Sequence, residues 1–440
     1  MAAAPALARP AKRALMVAFH FPPLAGSSGV QRTLRFVQHL PRCGWEPLVL
    51  TASPHAYERT STDLLDEIPP GTVVHRAFAL DTARHLSFRG RYFDGMARPD
   101  RWISWKWDAV RSGLQLIRRH RPHVLWSTYP VATAHVVAAE LQRRSGLPWL
   151  ADFRDPMAQD GYPPDPATWR QFAAIEAQAA AKASRMMFTT RGALSCYQAR
   201  YPEAAQRMLL LENGYDENSF VAVERESRAA APLNDGVKTL LHSGIVYPAE
   251  RDPSQLFAAL RLLQHAGLAA SRLKLRFRAA LHDDLLRTLA RSHGVEDLVE
   301  VLPPIGYGDA LREMLRADGL LVMQAANCNQ QVPAKIYEYL RARKPVLCLA
   351  DPAGDTASTL RAAGIDSIAR LDSATEIAAL LDRWLRGAAG LHMTADEAAV
   401  RQASRQGRTE ALAAQFEAFV PGAACGRARE LDIAVGAGVP

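Results

Sequence analysis

The sequence predicts an α/β protein built as two tandem Rossmann-like, doubly wound parallel-sheet domains that face each other across a cleft. Three observations carry that prediction. Short apolar strands alternate with helical stretches along the whole chain, which requires crossover connections and therefore parallel strands covered on both faces. The length of 440 residues exceeds what one core usually organises. Residues 213–236 (NGYDENSFVAVERESRAAAPLNDG), rich in charge, turn residues and Ala-Pro, read as an exposed linker between two runs of the rhythm.

In the first run, strands are expected at 14–19 (ALMVAF), 46–51 (EPLVLT), 72–76 (TVVHR), 123–127 (HVLWS), 148–152 (PWLAD), 186–190 (MMFTT) and 208–212 (MLLLE). In the second they are expected at 238–243 (KTLLHS), 273–278 (LKLRFR), 298–302 (LVEVL), 319–323 (GLLVM) and 345–350 (PVLCLA). The domains so defined are 1–225 and 226–393. A helical stretch at 394–419 is expected to rejoin the first domain, and 420–440 reads as a frayed tail.

Hydrophobic residues make up 48% and charged residues 22% of the chain, as in soluble globular proteins. The longest apolar runs are strand-length, far short of a membrane span, and the opening MAAAPALARPAKR lacks the apolar segment of an export signal. The five cysteines show no CxxC spacing, which points to free thiols in the cytoplasm and gives no metal signature. Residues 1–225 carry 28 Lys+Arg against 20 Asp+Glu, whereas 226–440 carry 25 of each, so the whole net charge of +8 sits in the first half. Such an excess suits an anionic lipid surface or a phosphorylated ligand. Neither zinc-finger spacing nor an aromatic RNA-binding signature accompanies it, which argues against nucleic acid.

In open parallel sheets ligands bind beyond the carboxyl ends of the strands, so the loops there are the candidate sites. The first, HFPPLAGSSGVQRTLRF, places Gly26 and Gly29 at the mouth of a helix. Exposed N–H groups there suit an anion, and a plain tight turn is the competing reading. Arg32, one turn on, reads either as an anion contact or as a surface residue. The second, PWLADFRDPMAQDGYPP, gathers Asp152, Arg154 and Asp155 where a strand leaves the sheet. They form an internal ion-pair latch or a cleft wall in which Arg154 or Asp155 touches substrate. In the third, HSGIVYPAERDP, Gly244 ends a strand and Arg251 opens a helix with the reach of a diphosphate ligand; pairing with Glu250 or Asp252 is the alternative.

The fourth, QQVPAKIYEYLRARKPVLCLA, places Pro333 in the first turn of a helix, Lys335 beside its positive end, and Glu338 one turn deeper on the same face. Lys335 suits a phosphate and Glu338 a pair of ribose hydroxyls. A local Lys335–Glu338 pair is the bland alternative, contributing only about 0.2–0.5 kcal/mol when exposed. A fifth feature, residues 88–119, interleaves Trp102, Trp105 and Trp107 with Arg98, Arg101 and Lys106. Helical spacing makes core packing the first reading for some of these tryptophans, and the remainder read as an interfacial surface toward anionic lipid.

Taken in order from about Leu15 to Phe419, these fragments resemble the GT-B glycosyltransferases, specifically the large retaining family four. The loop and helix FPPLAGSSGVQRTLRFVQHLPRCGWEPLVLT, the NGYD hinge and the PAKIYEYLRARKPV donor-site helix carry the likeness. The resemblance implies transfer of a sugar from a nucleotide-sugar, with UDP or GDP as carrier, to a glycan or lipid-linked acceptor. It further implies retention of anomeric configuration, no metal and no cofactor beyond the donor, and a role in polysaccharide or glycoconjugate synthesis. Under it Gly26, Gly29, Gly244, Arg251 and Lys335 would meet the donor diphosphate, Glu338 the ribose, and Arg154, Asp155 and Gln330 the reacting sugar. Three positions depart from the pattern: Gln330 stands where a glutamate is common, Ile245 where an arginine is usual, and Arg154 where a histidine often stands. These departures keep open a catalytically silent GT-B binding or scaffold protein. A nucleotide-sugar epimerase on the same two-domain plan is the other alternative. The cytoplasm, at the inner face of an anionic membrane, is the expected location.

Overall fold

A computed structural model describes residues 12–25, 29–226, 231–269 and 271–420. The chain forms two parallel sheets. The first contains β1 (Lys12–Val17), β2 (Trp45–Ala52), β3 (Val73–Ala77), β4 (Val124–Thr128), β5 (Trp149–Arg154), β6 (Arg185–Phe188) and β7 (Met208–Leu210) in the order 3-2-1-4-5-6-7. The second contains β8 (Lys238–Ser243), β9 (Leu273–Arg278), β10 (Val299–Leu302), β11 (Gly319–Gln324), β12 (Val346–Ala350) and β13 (Ile368–Ala369) in the order 10-9-8-11-12-13. All pairings are parallel. The order reverses beside β1 and beside β8, the switch points where a parallel sheet opens a crevice at its carboxyl edge. All twelve expected strands are present; two-residue β13 has too short an apolar signal to be read from sequence.

Central strands are buried on both faces, which is why they read as unbroken apolar runs: every residue of β4, β11 and β12 is buried. Each sheet carries a hydrophobic core on either side. The helix Arg405–Glu417 returns to the first sheet, where its Leu412, Ala413 and Phe416 pack with Trp45 and Val49. The expected single helix at 394–419 is in fact two, Glu397–Gln402 and Arg405–Glu417, broken at Ser404, whose side chain caps the second. Residues 213–236 are not simply an exposed linker. Residues Glu217–Glu226 form a helix, and Phe220 and Val223 on one of its faces join Tyr215 in the core of the second sheet.

Residues 98–107 split between the two readings given them. Trp105 is wholly buried, and Trp102 packs at 4.7 Å between ring centroids against Phe19. Arg98 is paired with Asp165 and Arg101 with Glu58. Only Trp107, 75% exposed with the Lys106 ammonium over its ring, remains on the surface. Among the described residues no helix is long and apolar enough to cross a membrane. The tail 421–440, the opening residues 1–11 and Gly26 lie outside the described residues.

Candidate active site in the interdomain cleft

On the first sheet, β1 leads directly to His20, and the helix Gly29–His39 starts after the glycine loop. A Cβ on Gly29 would fall 2.5 Å from His20 Nδ1 and 3.1 Å from Arg154 Nη1, so only glycine lets the helix mouth approach these side chains. Burial, and then the Arg154 charge, lower His20 to about 4, which makes it a neutral imidazole at physiological pH. Arg154 ends β5 where the register with β6 shifts, and its own φ is +63°. Its Nη1 reaches Tyr129 O at 3.4 Å and its Nε–H has no partner among the described residues. Burial and the neighbouring Arg32 depress the Arg154 pKa.

Arg32 is not an anion contact. It donates from Nε and Nη2 to Asp152 at 2.8 and 2.9 Å, both side chains being buried, and also to Leu211 O and Glu212 O. The latch read at Asp152 therefore exists, but its cation comes from the glycine-loop helix. Arg154 is left to face the cleft.

On the second sheet, Gly244 has φ +122°, and a Cβ there would stand 2.7 Å from Lys335 Nζ. The ammonium lies 3.3 Å from His242 Nε2, and His242 Nδ1 lies 3.0 Å from Leu321 O. That geometry assigns the proton of a neutral His242 to Nδ1 and leaves Nε2 to accept from Lys335. His242 is wholly buried, and burial followed by the Lys335 charge holds its pKa well below the usual value. Lys335 itself is lowered to about 7 by burial and then by Arg251, which outweigh the opposing pull of Glu338.

Arg251 pairs with neither Glu250 nor Asp252: its Nη1 donates to Ile245 O at 2.8 Å, it lies over the Tyr247 ring, and its Nε–H is unpartnered among the described residues. The Lys335–Glu338 ion pair is likewise absent. Glu338 instead accepts from the Tyr307 hydroxyl at 2.9 Å, and burial raises its pKa. The helix starts at Lys335, not Pro333, which precedes it; Pro333 O accepts from Ile336 N.

Between the sheets lies a pocket of about 580 Å³ lined by Arg154, Asp155, Thr190, Asn213, Gln330 and Tyr337 among others. The three residues expected around the reacting sugar therefore meet in one pocket, Asp155 and Gln330 exposed to it. Gly29 does not line it but stands beside Arg154, which does. Gly244, Arg251, Lys335 and Glu338 do not line this pocket. They form a neighbouring cluster, joined to it where Asn327 Nδ2 donates to Ala249 O and Ala325 N to Glu250 O. Two contacts span the cleft: Thr190 Oγ1 donates to Gln330 O at 2.9 Å, and Gly192 N donates to Asp355 Oδ2 at 2.6 Å. Sequence reasoning missed His20, His242, Thr190 and Tyr307. The two histidines had a readable signal, each standing at or just beyond the carboxyl end of its sheet's switch-point strand (AFHFPP, LLHSG).

Residues 28–214 match the family described as the glycosyl transferase 4-like domain. The chain has the GT-B fold, and its first half carries that match to a glycosyl transferase 4-like domain. Solved structures with this architecture include Anabaena Alr3699/HepE in complex with UDP, at TM-score 0.57 and 14% identity over 92% of this chain and 95% of that one. A glycosyltransferase from Rickettsia africae ESF-5 gives TM-score 0.58 and 10% identity over 93% and 99%. The UDP-forming α,α-trehalose-phosphate synthase from Burkholderia xenovorans gives 0.60 and 12% over 92% and 100%. No curated protein matches the chain by sequence.

Proposed function

We propose that this chain is a glycosyltransferase that takes a sugar from a UDP-sugar and attaches it, with retention and without a metal cofactor, to a glycan or lipid-linked acceptor. One observation carries the reading: Lys335 and Arg251 bring two cations together at the carboxyl edge of the second sheet, where neither forms an ion pair with a described carboxylate. An amine whose pKa burial and a second cation lower to about 7 gains from an anion brought beside it. A donor diphosphate supplies it, and as the bond from anomeric carbon to phosphate oxygen breaks, the charge that grows on the leaving diphosphate is met by groups already in place. The acceptor hydroxyl bonds to the anomeric carbon and its proton passes to the departing phosphate. Glu338 holds the ribose and Gly244 allows the close approach. Arg154, Asp155 and Gln330 surround the sugar in the adjoining pocket. The UDP named in the HepE complex favours uridine over GDP as the carrier. On this proposal the reaction serves polysaccharide or glycoconjugate synthesis, in the cytoplasm at the inner membrane face.

A thermal-shift panel of UDP-, GDP- and dTDP-sugars tests this. UDP-sugars should raise the melting temperature of the parent protein and leave Lys335→Ala and Arg251→Ala unmoved. A parent protein that responds to none of the three would end the proposal.

A further inference from the structure

Every residue from 88 to 96 is exposed. The exposure is 77% for Phe88, 39% for Tyr92, 83% for Phe93 and 43% for Met96. The segment is ordered by its own hydrogen bonds. Phe88 N donates to Arg91 O and Arg91 N to Phe88 O, closing a two-residue turn in which Arg89 (φ +51°) and Gly90 (φ +75°) are both left-handed. An arginine is an uncommon choice for that conformation, and here it sets a guanidinium at the apex, 5.4 Å over the Phe88 ring. The arm's base is fixed where Thr82 Oγ1 donates to Met96 O and Thr82 N to Arg101 O.

The charge is one-sided. Residues 84–96 hold Arg84, Arg89 and Arg91 against Asp94 alone. Arg98 and Arg101 are consumed by ion pairs, whereas Arg89 and Arg91 form none among the described residues. At the arm's base lie two more exposed rings, Phe78 and Trp107, brought together by the bond from Phe78 N to Asp108 Oδ2. The arm follows β3, the edge strand of a wholly parallel sheet, so it leaves at the same edge as His20 and Arg154.

We infer that residues 86–97 form an arm that docks the protein on an anionic lipid bilayer, with Phe88 and Phe93 entering the headgroup region and Arg89 and Arg91 meeting lipid phosphates. Rings flanking guanidinium groups on an exposed turn match the layering of a bilayer interface, whereas a protein partner would be met by a continuous or concave apolar face. Docking there brings the cleft rim to the membrane, which names the lipid-linked class among the acceptors proposed above. The surface itself does not depend on that reading.

Sedimentation of the full chain with phosphatidylcholine vesicles, alone or mixed with phosphatidylglycerol, tests the arm. The chain should bind the mixed vesicles and not the neutral ones, and added salt should weaken binding. Phe88→Ser with Phe93→Ser should cut the bound fraction about tenfold, and Arg89→Ser with Arg91→Ser should remove the preference for anionic lipid. Equal binding by parent and variants would overturn the inference, as would no binding at all. So would a parent dimer that the two Phe→Ser changes dissociate, since the arm would then serve a second copy. The melting shift given by a UDP-sugar, read on the same samples, separates the two proposals. Failed docking with that shift intact removes only the arm, and loss of the shift in the parent removes the donor site.

Discussion

Lys335 gives the sharpest quantitative test, because its environment makes donor binding a proton-linked event. In the free protein its pKa is about 7, against 10.5 for an ordinary lysine. A diphosphate beside the amine favours the ammonium and returns the pKa toward the ordinary value, so binding at alkaline pH must take up a proton. A donor such as UDP-glucose, whose phosphates do not titrate in this range, isolates the effect. With a free pKa near 7, about half of the protein carries the ammonium at pH 7 and about one-tenth at pH 8. Affinity should therefore fall about fivefold from pH 7 to pH 8 and about ninefold from pH 8 to pH 9, approaching 1.4 kcal/mol per pH unit, roughly the free energy of one proton. Titration calorimetry at pH 8 in buffers of different ionisation enthalpy should report roughly 0.9 proton taken up per donor bound. Lys335→Gln should bind weakly with neither uptake nor slope. The unliganded protein carries the converse signature. The unfolded chain holds the lysine proton up to pH 10.5 and the folded one releases it near 7, so this group's destabilising contribution is fully present below pH 7 and relieved as pH rises to 10.5. Affinity independent of pH between 7 and 9, with no proton uptake, would refute the reasoning.

Glu338, held by Tyr307 on the same short helix as Lys335, should distinguish ribose from deoxyribose. The parent should prefer UDP to 2′-deoxy-UDP by about tenfold, as expected for a hydrogen bond to a carboxylate, and Glu338→Ala should bind both equally; a preference that survives the substitution would remove the residue from the ribose. Asp152→Ala strands the buried Arg32 guanidinium, whose two bonds at 2.8 and 2.9 Å it otherwise accepts. Urea unfolding should show a loss of about 3–5 kcal/mol, and a loss under 1 kcal/mol would mean that water reaches the pair.

The parts of this molecule legible in sequence are those governed by short-range rules. The runs ALMVAF and PVLCLA announce strands because burial on both faces demands unbroken apolar sequence, and parallel pairing follows from the helices between them. The meeting of Gly244 and Lys335 at one sheet edge follows from the same rules, since one ends a strand and the other opens a helix beyond a strand's carboxyl end. What stayed hidden was partner choice across long separations. Arg32 looked available for an anion because Asp152 lies 120 positions away in the chain. Tyr307 could not be matched to Glu338, nor Trp102 to Phe19, for the same reason. Charge spacing proposed Lys335–Glu338 and Arg251–Asp252 pairs, and tertiary packing gave each residue a different neighbour.

The departures from the family pattern acquire a physical meaning in the cleft. Ile245 cannot supply a second guanidinium, but its carbonyl accepts from Arg251 Nη1, so the loop fixes the direction of the cation it does have. Gln330 cannot act as a carboxylate; its backbone carbonyl accepts from Thr190 Oγ1 across the cleft, and a Cβ on Gly192 would fall 2.9 Å from its Cγ and 2.7 Å from Asp355 Oδ2. Gln330 thus meets the opposite wall through its backbone, and the bare backbone of Gly192 permits the approach of its side chain. A glutamate in place of Gln330 would set a like charge beside Asp355 on the same wall, in the pocket that Asp155 also lines. A neutral amide avoids that repulsion.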